Sequence, residues 1–242
     1  MIYFAKTHQG KVRRNNEDSI YAPMIYGSGY FAVVADGMGG HNAGEVASGI
    51  VVDTLRERLN AVKPNDVTEI LLRSAFTEAN SRVLADARAN PDRSGMGSTA
   101  TAAVIYGDAA MIGHVGDSRA YLFREGLLKQ LTRDHSYVQM LLDLGYINEQ
   151  QAAEHPQKNI ITRAVGTEED MTADIYHVTL KDGDCLLLCT DGLNVMISDT
   201  QIAEILGGGF ESAADQLVEA ALEAGGADNV SVVLIVKDGD RA

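Results

Sequence analysis

Apolar positions in this chain follow two rhythms: short, nearly unbroken runs, and longer stretches with helical spacing. Tyr30 to Ala35, Thr99 to Tyr106, Ala109 to Val115 and Val230 to Val236 are runs of the first kind, bounded by Gly, Asp or Asn. They predict core strands. Further strands are expected at Ile2 to Thr7, Ser19 to Pro23, Ala120 to Arg124, Leu127 to Leu131, Ala173 to Thr179 and Asp184 to Leu188. Tyr106-Gly107-Asp108 and Arg124-Glu125-Gly126 join neighbouring runs into hairpins, because Gly and Asp tolerate the turn dihedrals. From Ala43 to Leu59, Val46, Ala47, Ile50, Val51, Leu55 and Leu59 keep helical spacing. Asp66 with Glu69 reads as a capping box opening a long helix that ends at Asn90, before Pro91. Ser136 to Leu144, a segment capped by Ser198 and Gln201 that stops at Gly207, and Ser212 to Glu223 complete the helices.

The helices come in pairs between groups of hairpin strands rather than alternating with single strands. That pattern argues for antiparallel sheets with helices packed outside, and against a doubly wound parallel sheet. The polar stretch Asn148 to Asn159, which contains Pro156, reads as a surface flap near positions 145–160.

With 242 residues, four prolines and no low-complexity tract, the chain is expected to form a single domain over 1–242. Its net charge of −14 disfavours nucleic acid and anionic membrane as partners. Cys185 and Cys189, the two cysteines, share a strand face but would lie roughly 13 Å apart, too far for a disulfide. They read as buried thiols in a reducing compartment. No basic leader with an apolar run opens the sequence, and no stretch of about 18 apolar residues could span a bilayer, so a cytoplasmic location is expected.

The candidate chemistry lies in aspartates placed where core strands begin or end. Asp36-Gly37, Asp117, Asp191-Gly192 and Asp228-Asn229 each adjoin an apolar run. One such residue is turn chemistry. Four from distant segments suggest converging carboxylates held together by hard divalent cations, with an oxyanion as substrate. The glycines around Asp36 let backbone approach an ion, so the Gly37 carbonyl can serve as an oxygen ligand. Arg13 lies near Glu17 and Asp18, and a guanidinium beside metal-binding acids suits phosphate recognition. Asp117 has a second reading, a plain ion pair with Arg119.

The ordered motifs are Arg13-Arg14-Asn15-Asn16-Glu17-Asp18, Asp36-Gly-Met-Gly-Gly-His41, Gly95-Met-Gly-Ser-Thr99, Gly116-Asp-Ser-Arg119, Asp134-His-Ser136, Asp191-Gly-Leu193 and Asp228-Asn229. Together, over Thr7 to Val236, they resemble the metal-dependent serine/threonine protein phosphatases of type 2C, and most closely the compact bacterial members. The resemblance implies an α+β four-layer sandwich of two stacked antiparallel sheets flanked by pairs of helices. It implies two Mn²⁺ or Mg²⁺ ions bridged by Asp36, with the Gly37 carbonyl, Asp191 and Asp228 as further ligands. Glu17 and Asp18 would hold metal waters, Arg13 would bind phosphate, and Asp117 would join Asp191 at a third, weaker ion near the flap. A water or hydroxide bridging the two ions would attack phosphorus of phosphoserine or phosphothreonine.

Animal relatives carry a histidine, the proposed general acid, at the position of Met38. Here His41 is the nearest candidate, with a metal-bound water as its rival. His135 is as readily structural as catalytic. The implied partners are phosphorylated proteins and a cognate Ser/Thr kinase. No oligomer-forming heptad or obvious apolar patch is visible in the sequence, so a monomer is the default expectation. Two other functions compete. A non-catalytic phosphoprotein binder would have lost metal acids, and none is missing. A nucleotide hydrolase using the Gly-rich loop would need a Gly-Lys-Ser/Thr ending, which this loop lacks.

Overall fold

The computed structural model describes residues 1–22, 29–40 and 43–238. In chain order these contain strands β1 (Ile2–His8), β2 (Asp18–Tyr21) and β3 (Gly29–Met38), then helices α1 (Ala43–Asn60) and α2 (Glu69–Ala89). Strands β4 (Gly97–Ser98), β5 (Ala100–Tyr106), β6 (Ala109–Val115), β7 (Arg119–Arg124) and β8 (Leu127–Gln130) follow. Two short helices, α3 (Tyr137–Asp143) and α4 (Glu149–Ala153), precede β9 (Asp174–Thr179) and β10 (Cys185–Cys189). The chain closes with α5 (Asp191–Asn194), α6 (Asp199–Gly207), α7 (Ala213–Glu223) and β11 (Val230–Val236).

One sheet has the order β1-β11-β10-β7-β8; the other runs β2-β3-β5-β6-β9, with β4 paired to β3. Every strand pairing among the described residues is antiparallel. The period-2 alternation of the strands decides what each face covers. In the central strands Ala32, Val34, Ala103 and Ile105 of one sheet meet Leu186, Leu188, Val233 and Ile235 of the other, making the inter-sheet core. The alternate residues Phe31, Val33, Ala102 and Val104 pack under α1 and α2. Leu187, Val232 and Leu234 pack under α6 and α7. Both faces of these strands are therefore buried, which is why they read as unbroken apolar runs. The result is the expected α+β sandwich of four layers.

Helix stripes explain the outer layers. Ala47, Val51, Leu55 and Leu59 of α1 recur every fourth residue and are buried, as are Leu72, Phe76, Ala79 and Val83 of α2. Both thiols of β10 lie on its α6–α7 face with the apolar core around them, and burial pushes the Cys189 thiol up to about 12.

Beside shifts of one or two residues at other ends, three differences from the sequence reading stand out; the expected end of β2 at Pro23 lies outside the described residues. Strand β3 does not stop at Ala35 but continues through Asp36 to Met38, because Gly37 and Met38 pair with Ser98 and Gly97 of β4. Helix α2 is capped by Thr68, whose side chain accepts from the Leu71 N–H, while Asp66 belongs to a 3₁₀ turn, Pro64–Asp66. The predicted flap contains α4, opened by a capping box between Asn148 and Gln151. No helix among the described residues is long and apolar enough to cross a membrane.

Leu187 is fully buried between the central sheet and α6–α7. Leu187→Ala is expected to lower unfolding stability by about 2–5 kcal/mol, read by denaturant titration.

Candidate active site

Register places the first two acids. Asp18 opens β2 directly opposite Asp36 of β3. Asp36 is then fixed by β4 and β5: its N–H donates to the Thr99 hydroxyl at 2.9 Å, and its carbonyl accepts from Thr99 N–H at 2.8 Å. The Thr99 hydroxyl in turn meets the Ser118 hydroxyl at 2.7 Å, tying Asp36 to the β6–β7 turn that carries Asp117. Asp191 begins α5 at the end of β10, and Asp228 precedes β11.

These side chains surround one cleft of about 620 Å³ at the edge of the sandwich, lined by Arg13, Glu17, Asp36, Gly37, Asp117, Asp191 and Asp228 among others. Asp18 lies just beneath it, buried, with one carboxylate oxygen accepting from Thr190 at 2.9 Å and Ser231 at 2.6 Å. Seven of the nine sequence-predicted residues thus face the cleft and an eighth supports them. His41, the ninth, lies outside the described residues.

Glycines shape the approach. A Cβ on Gly37 would stand 2.0 Å from the Gly44 carbonyl oxygen. A Cβ on Gly44 would in turn meet the Gly37 carbonyl oxygen at 2.8 Å and the Glu17 carboxylate at 2.9 Å. Small residues at both positions keep this corner of the cleft for backbone oxygen and carboxylate.

Electrostatics make the cluster unstable by itself. Burial, then the neighbouring carboxylates, holds Asp36 well above the usual carboxylate range. The same causes raise Asp18 to about 7 and Asp117 to about 8, with burial largest. Asp191 rises to about 6 through burial and the Asp228 charge, moderated by a hydrogen bond with Asp36. Oδ1 of each of Asp18, Asp117 and Asp191 is buried with no hydrogen-bond partner. Arg13 answers part of the charge, its Nη2 donating to Asp228 Oδ2 at 2.7 Å. Arg119 eases the Asp117 charge only from a distance and makes no direct ion pair with it. Its guanidinium is committed to Asp134, at 2.7 and 3.0 Å, and to the Tyr121 hydroxyl.

Partnerless buried carboxylate oxygens, a Cβ-free corner and an all-oxygen donor set fit hard divalent cations. Among the described residues no three or more Asp, Glu, His or Cys side chains form a ready-made cage. A small hard cation takes only one or two carboxylates and keeps several waters, so an open cleft of shared acids suits it.

Several supporting residues went unforeseen. Thr190 and Ser231 hold Asp18, and the Ser48 hydroxyl donates to the Glu17 carbonyl at 2.6 Å. The Asn229 side chain accepts from Glu17 N–H and donates to the Gln9 and Asn15 carbonyls, each at 2.8 Å. Their signal was a hydroxyl or amide inside or beside an apolar run, as in Val230-Ser231-Val232. Lys158 and Asn159, from the predicted flap, also line the cleft. His135 is buried and bonded to backbone and Asp174, away from the cleft.

A sandwich-edge cleft of crowded acids with an arginine at its rim defines a divalent-metal enzyme acting on an anionic substrate. A family profile described as Protein phosphatase 2C matches residues 7–232. A serine/threonine phosphatase, stp, of Listeria monocytogenes is 38% identical over 238 residues, 96% of this chain and 94% of that protein. The serine/threonine protein phosphatase PstP of Mycobacterium tuberculosis is 42% identical over 234 residues, 96% of this chain but 44% of that longer protein. A crystal structure of the PstP catalytic domain in complex with two manganese ions covers 96% of this chain, and 96% of that chain is matched, at 40% identity and a TM-score of 0.86. The chain belongs to the protein phosphatase 2C family. It is accordingly a serine/threonine protein phosphatase dependent on Mn²⁺ or Mg²⁺.

The raised carboxyl pKa values set a sign. Each such group binds a proton in the fold that the unfolded chain has already released at the same pH, so folding is favoured by acid. Metal-free protein is expected to lose stability as pH rises from about 4, the unfolded value, through about 8, where Asp117 ionises. Mn²⁺ replaces those protons, so the rise in Tm on adding Mn²⁺ should grow across the same window in calorimetry. Asp191→Asn should raise the metal-free Tm at neutral pH and shrink the Mn²⁺ increment.

Proposed function

We propose that Asp36, the Gly37 carbonyl, Asp191 and Asp228 hold the ions with which this chain hydrolyses phosphoserine and phosphothreonine esters of proteins. The observation that carries the assignment is the gathering of partnerless buried carboxylate oxygens from α5 (Asp191) and the β6–β7 turn (Asp117) at one cleft, with that of Asp18 of β2 just beneath, beside Asp36 of β3. Asp117, with Asp191, is assigned to a third ion on the flap side. Glu17 and Asp18 support the water shell of the ions, and the hydroxyls of Thr190 and Ser231 hold Asp18 in place for that task.

Bound Mn²⁺ or Mg²⁺ supplies positive charge toward the phosphate dianion and a water whose pKa is lowered toward neutrality. The chain's own residues do the rest. Arg13 sits half-exposed at the rim, tethered to Asp228. Its planar fork is free to turn onto two phosphate oxygens and orient the ester. Lys158 and Asn159, which line the same cleft, add a cation and an amide for the same anion. Met38 lines the cleft and has no proton to give, so the leaving serine or threonine oxygen takes its proton from His41 or from solvent. Cys185 and Cys189 take no part in this chemistry: both are buried in the apolar core, on the face of β10 turned to α6 and α7.

The whole of 1–242 is proposed to work as one catalytic domain with a flap near 145–160. The proposed setting is the cytoplasm, where the monomeric enzyme reverses a cognate Ser/Thr kinase on shared protein targets. The strong negative charge supports protein rather than nucleic acid as partner.

Asp36→Ala and Asp191→Ala should each abolish hydrolysis of p-nitrophenyl phosphate and of a phosphothreonine peptide while circular dichroism stays native. EDTA should silence the wild type and Mn²⁺ restore it. Retained turnover in either variant would refute the assignment, and ATP hydrolysis in place of ester hydrolysis would point to the nucleotide enzyme. Arg13→Ala should raise KM for the peptide by about tenfold, consistent with loss of one charge-assisted fork. An unaltered pH–rate profile in His41→Ala would remove that residue from the mechanism.

A further inference from the structure

The Asp134-His135-Ser136 segment takes no part in the chemistry above, yet its histidine is buried against the turn that carries Asp117. His135 grips Gly116, the residue before Asp117, at two points. The His135 N–H donates to the Gly116 carbonyl at 2.7 Å, and the Gly116 N–H donates to the ring Nδ1 at 3.1 Å. A ring nitrogen that accepts carries no proton, so in the neutral ring the proton lies on Nε2. Nε2 stands 3.1 Å from Asp174 Oδ2, to which it donates. Arg163 Nη1, 3.1 Å from the same ring nitrogen, is a donor too and so makes no hydrogen bond to Nε2–H; it donates instead to the other oxygen of Asp174 at 2.9 Å. The tautomer is therefore set from behind by Asp174, and the accepting face is kept for Gly116.

Gly116 needs this hold. Its φ of +107° lies in the left-handed region, and a Cβ there would meet Thr99 at 2.6 Å. A glycine has no side chain to lock its turn, so backbone contacts alone fix the direction in which the next residue leaves. The next residue is Asp117, whose Oδ1 is buried without a partner and whose side chain walls both the main cleft and a neighbouring one of about 420 Å³ beside α3 and α4. His135 also anchors the far end of the flap, its carbonyl accepting from the Thr162 N–H at 2.8 Å.

We propose that His135 is a positioning residue for the third-ion site: the neutral Nε2–H ring pins the Gly116–Asp117 peptide so that the Asp117 carboxylate is aimed into the cleft. The role rests on the assignment of Asp117 as a ligand, and it makes His135 an outer partner of that ligand rather than a participant in bond breaking. Outer partners of this kind characteristically tune metal affinity by 10–100-fold.

The test uses the full chain with His135→Ala, His135→Asn, Asp117→Ala and the double variant His135→Ala/Asp117→Ala. Mn²⁺ binding is read by the paramagnetic resonance signal of the free ion, Gly116 amide exchange by NMR, and Tm by calorimetry. Asn keeps an acceptor where Nδ1 stood but cannot reach Asp174. His135→Ala should weaken the weakest Mn²⁺ by about tenfold or more, leave two tighter ions bound, and speed Gly116 exchange. His135→Asn should recover the affinity to within about threefold, and the double variant should bind no more weakly than Asp117→Ala, as coupled sites do. Wild-type Mn²⁺ binding in His135→Ala, where Asp117→Ala has lost its ion, would overturn the positioning role alone. So would a His135→Asn variant that binds as poorly as the alanine. An Asp117→Ala variant that keeps every ion would overturn the ligand assignment and the role of His135 with it.

Discussion

Like charges resist being buried together, and this fold buries several in one place. Asp36, Asp18, Asp117 and Asp191 are all drawn away from water, and burial together with neighbouring carboxylates raises the proton affinity of each. Donors among the described residues answer this charge only in part: Arg13 is paired with Asp228, Arg119 is committed to Asp134, and Thr190 and Ser231 satisfy one oxygen of Asp18. The rest of the molecule can be understood as the scaffold that keeps this repulsion in position. Strand pairing sets Asp18 opposite Asp36, while hydroxyls from Thr99, Thr190 and Ser231 remove the freedom by which the acids could turn apart. Preorganised negative charge of this kind is what a pair of divalent cations requires.

The division of labour between the layers follows. Apolar faces of the two sheets bind to each other and to the helices, and they account for the core. Polar residues are admitted to the interior mainly at the edge where strands from both sheets end. Ser231 is one such residue, in a β11 strand otherwise made of Val, Leu and Ile. Its hydroxyl meets Thr7 of β1 at 2.7 Å as well as Asp18 of the other sheet. One side chain thereby ties the two sheets together beneath the cleft.

Much of this was legible from the residues. Unbroken apolar runs such as Val230 to Val236 marked the central strands because both their faces are covered. The Asp-Gly and Asp-Asn junctions marked the acids because a strand end delivers charge to a rim. What the residues concealed was of three kinds. The continuation of β3 to Met38 depends on Gly97 and Ser98, some sixty positions away, so its Gly-rich sequence resembled a turn. The cap of α2 passed from Asp66 to Thr68 because Asp66 is taken up as the last residue of the preceding 3₁₀ turn. The partner of Arg119 was Asp134 rather than the nearby Asp117, a choice made by the β7–β8 hairpin and not by local spacing. The hydroxyls that hold Asp18 belong to the same class, since their role exists only once three distant segments meet.

The placement of the two thiols bears on how the enzyme meets oxidants. Peroxide attacks thiolates, and the environment that pushes Cys189 up to about 12 leaves almost none of that form at neutral pH. Cys185 is shielded in the same way, with its thiol also raised by burial. A hydrolase whose nucleophile is solvent and whose sulfurs are sequestered has no sulfenic acid to form at its reaction centre. Oxidation of these sulfurs therefore requires the core to open first, whereas an enzyme built on a cysteine nucleophile must keep its thiolate exposed to work.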